Sequence, residues 1–253
     1  MRGLVILALC LLAALPARAE EILAGLSQKQ LSLTVNFEGS EILVYGAVRR
    51  EAPLPEDSDL HVIVTIEGPP TPAVIWRKAR RLGIWVNVES MRIRAAPSFY
   101  AVASTGPLED ILSLDSDLRH RISTRLAIFE AREDADVSNP AAFSDALIRI
   151  RRDEDLYQQL ESSIAFDRDT LFNTTISLPK NLVEGSYATR VFLVRDGAVI
   201  DRFDTEIEVQ KAVLERWLYN MAYEQPFLYG LLALGLALVF GWGASAAFRV
   251  LRA

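Results

Sequence analysis

A run of 22 uncharged residues, Phe227 to Phe248, sets the strongest limit on what this chain can fold into. As an α-helix it would be about 33 Å long. That length is enough to cross the roughly 30 Å hydrocarbon core of a bilayer. The sequence therefore predicts one transmembrane helix at residues 227–248, and it predicts that the preceding residues are held at a membrane.

Residues 1–19 have the pattern of a signal peptide. Arg2 supplies the positive charge, and the apolar stretch from Leu4 to Leu15 is too short to cross a bilayer. Ala17-Arg18-Ala19 fits a cleavage site with small residues. A first transmembrane helix is the alternative, and Pro16 together with the small residues disfavours it. We expect cleavage after residue 19.

Cleavage at that position would leave a chain without cysteine, because Cys10 is the single one. A disulfide, a thiolate nucleophile and a cysteine–zinc site would then be excluded. The stretch 20–210 is long enough to bury a core of its own. Without Arg2 and Arg18 the chain has 25 basic and 33 acidic residues, a formal charge near −8. An acidic domain of this kind is a poor candidate for binding nucleic acid or anionic lipid.

Short apolar–polar alternations before residue 105 predict β-strands. Glu38-Gly39-Ser40 separates two of them, which predicts a hairpin of residues 31–37 and 42–48. His61 to Glu67 is the next strand. Ala73 to Arg77 and Ile84 to Val88 follow, and the basic residues 77–81 are predicted to link them.

Helical spacing replaces this alternation from Leu108 to about Leu160. Asn139 can cap a second helix there, with Pro140 at its first position. The apolar stripe of that helix is Phe143, Leu147 and Ile150, extended to Leu156 and Leu160. Strands then return at 164–166, 170–178, 187–195 and 199–210. Gly197 marks a tight turn between the last two.

These patterns predict a mainly β protein: an Ig-like β-sandwich ectodomain at 20–210 with a helical insertion at about 107–160. Two small sandwiches joined by a helical linker are the alternative. A juxtamembrane helix at 211–226 leads into the transmembrane helix at 227–248, and residues 249–253 form a cytoplasmic tail. Trp217 and Tyr223 on one side and Arg249 and Arg252 on the other are predicted interface anchors.

Three sequence blocks carry a family resemblance: FEGSEILVYGAVRREAP, LPKNLVEGSYATRVFLVRDGAVIDRF, and LYNMAYEQPFLYGLLALGLALVFGWGASAAFR. Together they resemble a family of transmembrane proteins of alphaproteobacteria. The resemblance covers essentially the whole chain after the signal peptide. It implies a single-pass protein of the inner membrane, with its ectodomain in the periplasm. It also suggests a partner, a sulfite-exporter-type permease, and it transfers no catalytic residues.

Small residues recur every fourth position along the predicted transmembrane helix, at Ala233, Ala237, Gly241 and Ser245. Such a stripe allows another helix to approach closely. The sequence therefore predicts association through this face, either with a membrane protein or with a second copy. The alternative is that the stripe faces lipid.

The densest basic cluster is Arg77, Lys78, Arg80 and Arg81. Guanidinium groups bind oxyanions through two parallel hydrogen bonds, so the cluster is a candidate site for a small anion or an acidic partner. The alternative is a solvated strand edge whose charges prevent edge-to-edge pairing.

Catalytic and metal-binding patterns are weak in this sequence. His61 and His120 are the two histidines, and Asp115 and Asp117 near His120 match no standard ligand spacing. No G-x-S-x-G motif presents a serine nucleophile. We therefore expect a non-enzymatic accessory protein without a cofactor. The alternative is an anion-binding component of a transport system that uses residues 77–81.

Overall fold

The computed structural model describes residues 20–34, 37–50, 59–129, 139–211 and 213–251. The predicted signal peptide, residues 51–58 and Arg252 lie outside these ranges. Strands make up 52% of the structure, and one long apolar helix lies near the C-terminus. The prediction of a mainly β protein with one C-terminal apolar helix is therefore confirmed. The Ig-like arrangement of the strands stays a prediction.

The described residues form twelve strands. They are β1 (Glu20–Leu26), β2 (Gln30–Leu33), β3 (Ser40–Arg50), β4 (Leu60–Glu67), β5 (Pro70–Arg81), β6 (Ile84–Pro97), β7 (Tyr100–Ser104), β8 (Tyr157–Leu160), β9 (Ala165–Asp167), β10 (Leu171–Leu178), β11 (Gly185–Arg195) and β12 (Ala198–Lys211).

Six helices accompany them in the same ranges. They are α1 (Leu108–Ile111), α2 (Leu114–His120), α3 (Thr124–Phe129), α4 (Pro140–Asp153), α5 (Val213–Glu224) and α6 (Pro226–Leu251).

The larger sheet has six strands in the order β2-β12-β11-β4-β7-β8. All five residues of β7 are buried, so both of its faces are covered. Strand β10 of the other sheet contacts β7, and so does α3. Strand β8 runs parallel to β7. Parallel neighbours need a long crossover, and the segment with α1 to α4 provides it.

The smaller sheet has four strands in the order β1-β3-β10-β9. Strand β10 alternates strictly, with Phe172, Thr174, Ile176 and Leu178 buried and their neighbours exposed. One face of this sheet therefore belongs to the core. Both of these sheets combine strands from before and after the helical segment.

The predicted hairpin of residues 31–37 and 42–48 is wrong. Strand β2 belongs to the six-stranded sheet, whereas β3 pairs with β1 and β10 in the smaller one. Gly39 does take a positive φ of 121°. Gly39 lies between two strands of different sheets. Local alternation indicates that both segments are strands, but it does not show whether they pair with each other.

Helix α4 begins where the sequence predicts. The Asn139 side chain accepts a hydrogen bond from the Ala142 N–H at 3.2 Å, and Pro140 is the first helical residue. The predicted extension to Leu160 is wrong, because α4 ends at Asp153 and β8 begins at Tyr157. Asp155 between them has a φ of 59°, which no α-helix can continue through.

The chain divides into two compact units. The first contains the residues up to Gln30 together with Glu38–Glu208, and the second contains Leu31–Phe37 together with Val209–Ala253. The second unit contains α5 and α6. Hydrogen bonds from Gln225 N–H to the Met221 carbonyl and from Tyr229 N–H to the Gln225 carbonyl, both 3.1 Å, continue the helical pattern across the junction. Pro226 begins α6, a position where its missing N–H costs little.

Candidate functional site

Helix α6 has the length and composition of a membrane span. Its window Pro226–Ala244 has a mean hydropathy of 1.9, and none of it is buried within the protein. In a water-soluble protein an apolar helix of this length is normally covered by other elements. An exposed one is therefore suited to lipid.

The predicted contact residues lie on the exposed surface of α6. Ala233, Ala237 and Gly241 are all exposed. A Cβ atom built on Gly241 would meet nothing within 4 Å. Ser245 also belongs to α6, but its side chain is outside the described part. The stripe is thus open to a second helix or to lipid.

Aromatic side chains of α5 precede the span. Trp217 and Tyr223 are exposed, and the rings of Tyr219 and Tyr223 lie 4.5 Å apart. Amphipathic rings of this kind are enriched at membrane interfaces. The anchors predicted on the other side of the span are Arg249 and Arg252. The backbone of Arg249 is part of α6, its side chain is outside the described part, and Arg252 is outside the described residues.

The basic cluster lies inside strand β5, so the prediction that it links two strands is wrong. Strands β5 and β6 form a two-stranded sheet of their own, and the chain reverses at Leu82-Gly83. Lys78 pairs in register with Asn87, and Arg80 pairs with Trp85. The cluster is therefore part of a projecting hairpin and not of its turn.

The four cations of the cluster do not converge on one point. Successive residues of a strand face opposite sides, so Lys78 and Arg80 share one face while Arg77 and Arg81 share the other. Arg77 also forms an ion pair with Glu89, with 2.8 Å between Nη2 and Oε2. A single small anion could contact only part of the cluster, which weakens the case for an anion site.

A polar cluster that the sequence did not predict lies on the six-stranded sheet. Arg190 donates to the Glu67 carboxylate at 3.1 Å and to the His120 carbonyl at 3.1 Å. The Tyr100 hydroxyl donates to the Ile122 carbonyl at 2.8 Å, and burial raises the pKa of this tyrosine well above its usual range. These bonds attach the end of α2 to the sheet, which is a structural task.

The residues considered for metal binding or catalysis are used otherwise. Asp117 accepts hydrogen bonds from the backbone N–H groups of Ile122 and Ser123, at 3.0 and 2.8 Å. The His120 ring packs edge-on against Phe192. Burial lowers the pKa of His120, and Arg202, Arg119 and Arg190 lower it further. The ranges described above hold no group of three or more side chains that could bind a metal ion.

A groove on the β domain is lined mainly by polar and acidic residues. It has a volume of about 610 Å³, and Glu38, Glu41, Asp155 and Gln158 are among its lining residues. The Gln158 amide bridges it by donating to the carbonyls of Asp155 and Ser177, both at 2.9 Å. Among the described residues, the side chains that line the groove are therefore rich in hydrogen-bond acceptors.

A mainly β body followed by an exposed apolar helix is typical of the class of membrane-anchored proteins. The comparison with family models agrees with that class. The chain belongs to the family described as "Putative transmembrane protein (Alph_Pro_TM)", whose model matches residues 21–250. A comparison with curated proteins finds no match.

Proposed function

We propose that this protein is a non-enzymatic, membrane-anchored interaction protein of the periplasm, held in the inner membrane by α6. The observation that carries the proposal is the apolar window Pro226–Ala244, which has no cover within the protein. The non-enzymatic part is supported by the sequence, which has no G-x-S-x-G motif and no standard metal-ligand spacing. An exposed membrane helix joined to the β domain is suited to contact with another membrane component.

The signal-peptide pattern of residues 1–19 and the order of segments support the proposed topology. An exported N-terminal domain followed by a stop-transfer helix leaves Arg249 and Arg252 on the cytoplasmic side, as the positive-inside rule favours. The family resemblance supports an inner membrane of the alphaproteobacterial type. The permease partner is the most specific part of the proposal, and the resemblance alone supports it.

The topology is tested by cysteine labelling, since the chain after residue 19 contains no cysteine. Leu114, on α2, is an exposed residue of the β domain. A Leu114→Cys variant should react with a membrane-impermeant maleimide in spheroplasts, and the mass of the product should correspond to a chain that starts at Glu20. If labelling required lysis of the inner membrane, the β domain would lie in the cytoplasm and the proposed topology would be wrong.

The contact is tested by crosslinking within the membrane. A photoreactive amino acid at position 237 should capture a partner helix, because Ala237 lies in the centre of the small-residue stripe. The matched control places the same amino acid at Val239, which is also exposed but turned by about 200° around the helix. Gly241→Ile should reduce capture at 237. Equal capture at both positions, or capture only of lipid, would count against a specific helix contact.

A further inference from the structure

The β5–β6 hairpin projects beyond the part of the protein that supports it. Helix α4 contacts β5 and α3 contacts β6, and Ile75, Met91 and Ile93 are buried there. From Trp76 to Ser90 every residue is exposed or half-buried. We call residues 76–90 the distal arm. Trp76, Arg77 and Lys78 border α4 at the base of the arm, whereas all residues around the turn, from Arg80 to Trp85, are exposed.

The turn of the distal arm carries apolar side chains where water-facing hairpins carry polar ones. Leu82 is fully exposed, and Ile84 and Trp85 are 64% and 69% exposed. Leu82 has a φ of 49° and Gly83 a φ of 89°. Two-residue turns with two positive φ angles favour Asn, Asp or Gly at the first position. A leucine there is strained, and residues held in such strain are concentrated at functional sites.

Cations surround this apolar turn on both faces of the hairpin. The distal arm holds four basic residues and one acidic residue, whereas the whole chain has a net charge of −6. Lys78 and Arg80 lie on the face that includes Trp76 and Trp85, and Arg81 lies on the opposite face beside Ile84. Two of the four tryptophans of the chain are therefore in this short segment.

We propose that the distal arm docks on the bilayer surface, with Leu82, Ile84 and Trp85 in the lipid interface and its cations against anionic headgroups. A groove on a protein would contact one face of a hairpin. A bilayer surrounds an inserted turn, which suits cations on both faces. Tryptophan favours the interface, and basic residues beside an apolar segment favour anionic lipid. The proposal uses α6 only as the tether that keeps a membrane within reach.

This docking contrasts with the expectation from net charge. An acidic ectodomain taken as a whole should avoid an anionic surface. Because the positive charge is concentrated in one projecting hairpin, the arm can meet such a surface while the acidic remainder stays a distance away. The six arm residues of β5, from Trp76 to Arg81, span about 20 Å, which is more than twice the screening length of about 8 Å at physiological ionic strength.

The test measures the depth of Trp85 in the membrane. In the full-length chain, Trp76, Trp217 and Trp242 are replaced by Phe, and the protein is reconstituted into vesicles that contain brominated lipid. In vesicles of phosphatidylcholine and phosphatidylglycerol in roughly equal parts, the bromine should quench Trp85. The matched control carries Trp85→Phe and Leu114→Trp, which moves the only tryptophan to an exposed position on α2, and it should not be quenched.

Two variants separate the two parts of the proposal. Arg80→Glu with Arg81→Glu should lower the docking equilibrium on the order of thirtyfold or more, since each basic residue near an anionic surface contributes about fivefold and the new acidic residues are repelled. Leu82→Asn should raise the melting temperature, because asparagine suits the turn, and should reduce the quenching of Trp85. A variant that lost stability and quenching together would indicate a folding role and would overturn the proposal.

Other outcomes overturn it as well. Trp85 that stays unquenched in the anionic vesicles excludes docking on lipid. Equal quenching in pure phosphatidylcholine excludes recognition of anionic headgroups. A blue shift of Trp85 in lipid-free detergent that grows with protein concentration identifies a second copy as the occupant. None of these results depends on capture of a partner helix at Ala237, so this proposal and the proposed function can fail separately.

Discussion

Arg190 Nη2 lies 3.1 Å from the Glu67 Oε2 atom and joins strand β11 to its neighbour β4. The register pairs Ala188 with Glu67, so the ion pair runs diagonally across the two strands. The Arg190 side chain is 17% exposed, and its guanidinium carbon lies 5.6 Å from the centre of the Phe192 ring. One side chain therefore connects two strands, an aromatic ring and, through the His120 carbonyl, the end of α2.

Replacing this arginine should destabilise the β domain. We expect Arg190→Met to lower the free energy of unfolding by about 2 kcal/mol, because Glu67 and the His120 carbonyl lose their donor. The loss stays moderate since the Glu67 side chain is 36% exposed and water can replace part of the contact. Thermal unfolding in detergent measures it. Arg119→Met is the control, as its pair with Asp115 is mostly exposed and should matter little; equal losses would contradict the assignment.

His120 should make stability depend on pH. Its pKa is lowered in the folded protein, first by burial and then by Arg202, Arg119 and Arg190. The unfolded chain therefore binds a proton more readily than the folded one. The stability that His120 contributes is therefore fully present above pH 6.5, which is its pKa in the unfolded chain. This stability is lost as the pH falls from there toward the lower pKa of the folded protein.

Melting temperatures measured from about pH 7.5 down to about pH 5 should show this decline. His120→Gln should make the decline shallower, because glutamine does not titrate. A decline that was unchanged in His120→Gln would refute the prediction.

Gly46 in β3 should not tolerate a side chain. A Cβ atom there would lie 2.4 Å from the Leu23 carbonyl oxygen and 2.5 Å from the Phe172 ring. Gly46→Ala should cost about 1–3 kcal/mol, as overpacking of a core does. In the control Gly25→Ala, the new Cβ meets only the Tyr45 ring, at 3.1–3.3 Å. Tyr45 is half exposed and can move aside, so this variant should unfold at a temperature close to that of the native chain.

Arg195 should stabilise the first strand of the domain. It forms an ion pair with Glu20, whose side chain is almost fully buried. Arg195→Met would leave that carboxylate buried without its cation, which should cost about 3 kcal/mol or more. Hydrogen exchange followed by mass spectrometry should show faster exchange in β1 than in β10. Uniformly faster exchange in both strands would indicate global instability instead.

The sequence predicts local elements well where the signal lies within a few residues. The strand–turn–strand around Gly197 is confirmed: Gly197 has a φ of 78° between β11 and β12. The cap at Asn139 and the strand predicted at 170–178, which is β10, are also confirmed. In each case the side chains that decide the structure are neighbours along the chain.

Pairing partners were harder to predict, because they depend on distant residues. The strand at Leu31 was assigned to the wrong neighbour, since alternation indicates a strand but not the sheet to which it belongs. The basic residues Arg151 and Arg152 are favourable in the last turn of a helix. They are a usable signal that α4 ends before Leu156.

The distal arm shows a different kind of limit. Its charges were evident from the sequence, but their division between two faces requires the register of β5 against β6. The Arg190 cluster was not evident, because Glu67, Tyr100 and Arg190 are far apart in the chain and none belongs to a motif.

The contact between the two ends of the β domain also determines when the domain can fold. The Ile22 N–H donates to the Asp201 carboxylate at 2.8 Å, across 179 residues of chain. In the proposed topology this hydrogen bond cannot form until nearly the whole domain has crossed the membrane, although β1 can pair with β3 earlier. Pairings over such sequence distances form slowly. Since α6 follows about 25 residues after Asp201 and a long apolar helix stops transfer, we expect the domain to finish folding only after the chain is anchored. Folding on the tether keeps exposed strands of different molecules apart while they are most able to aggregate.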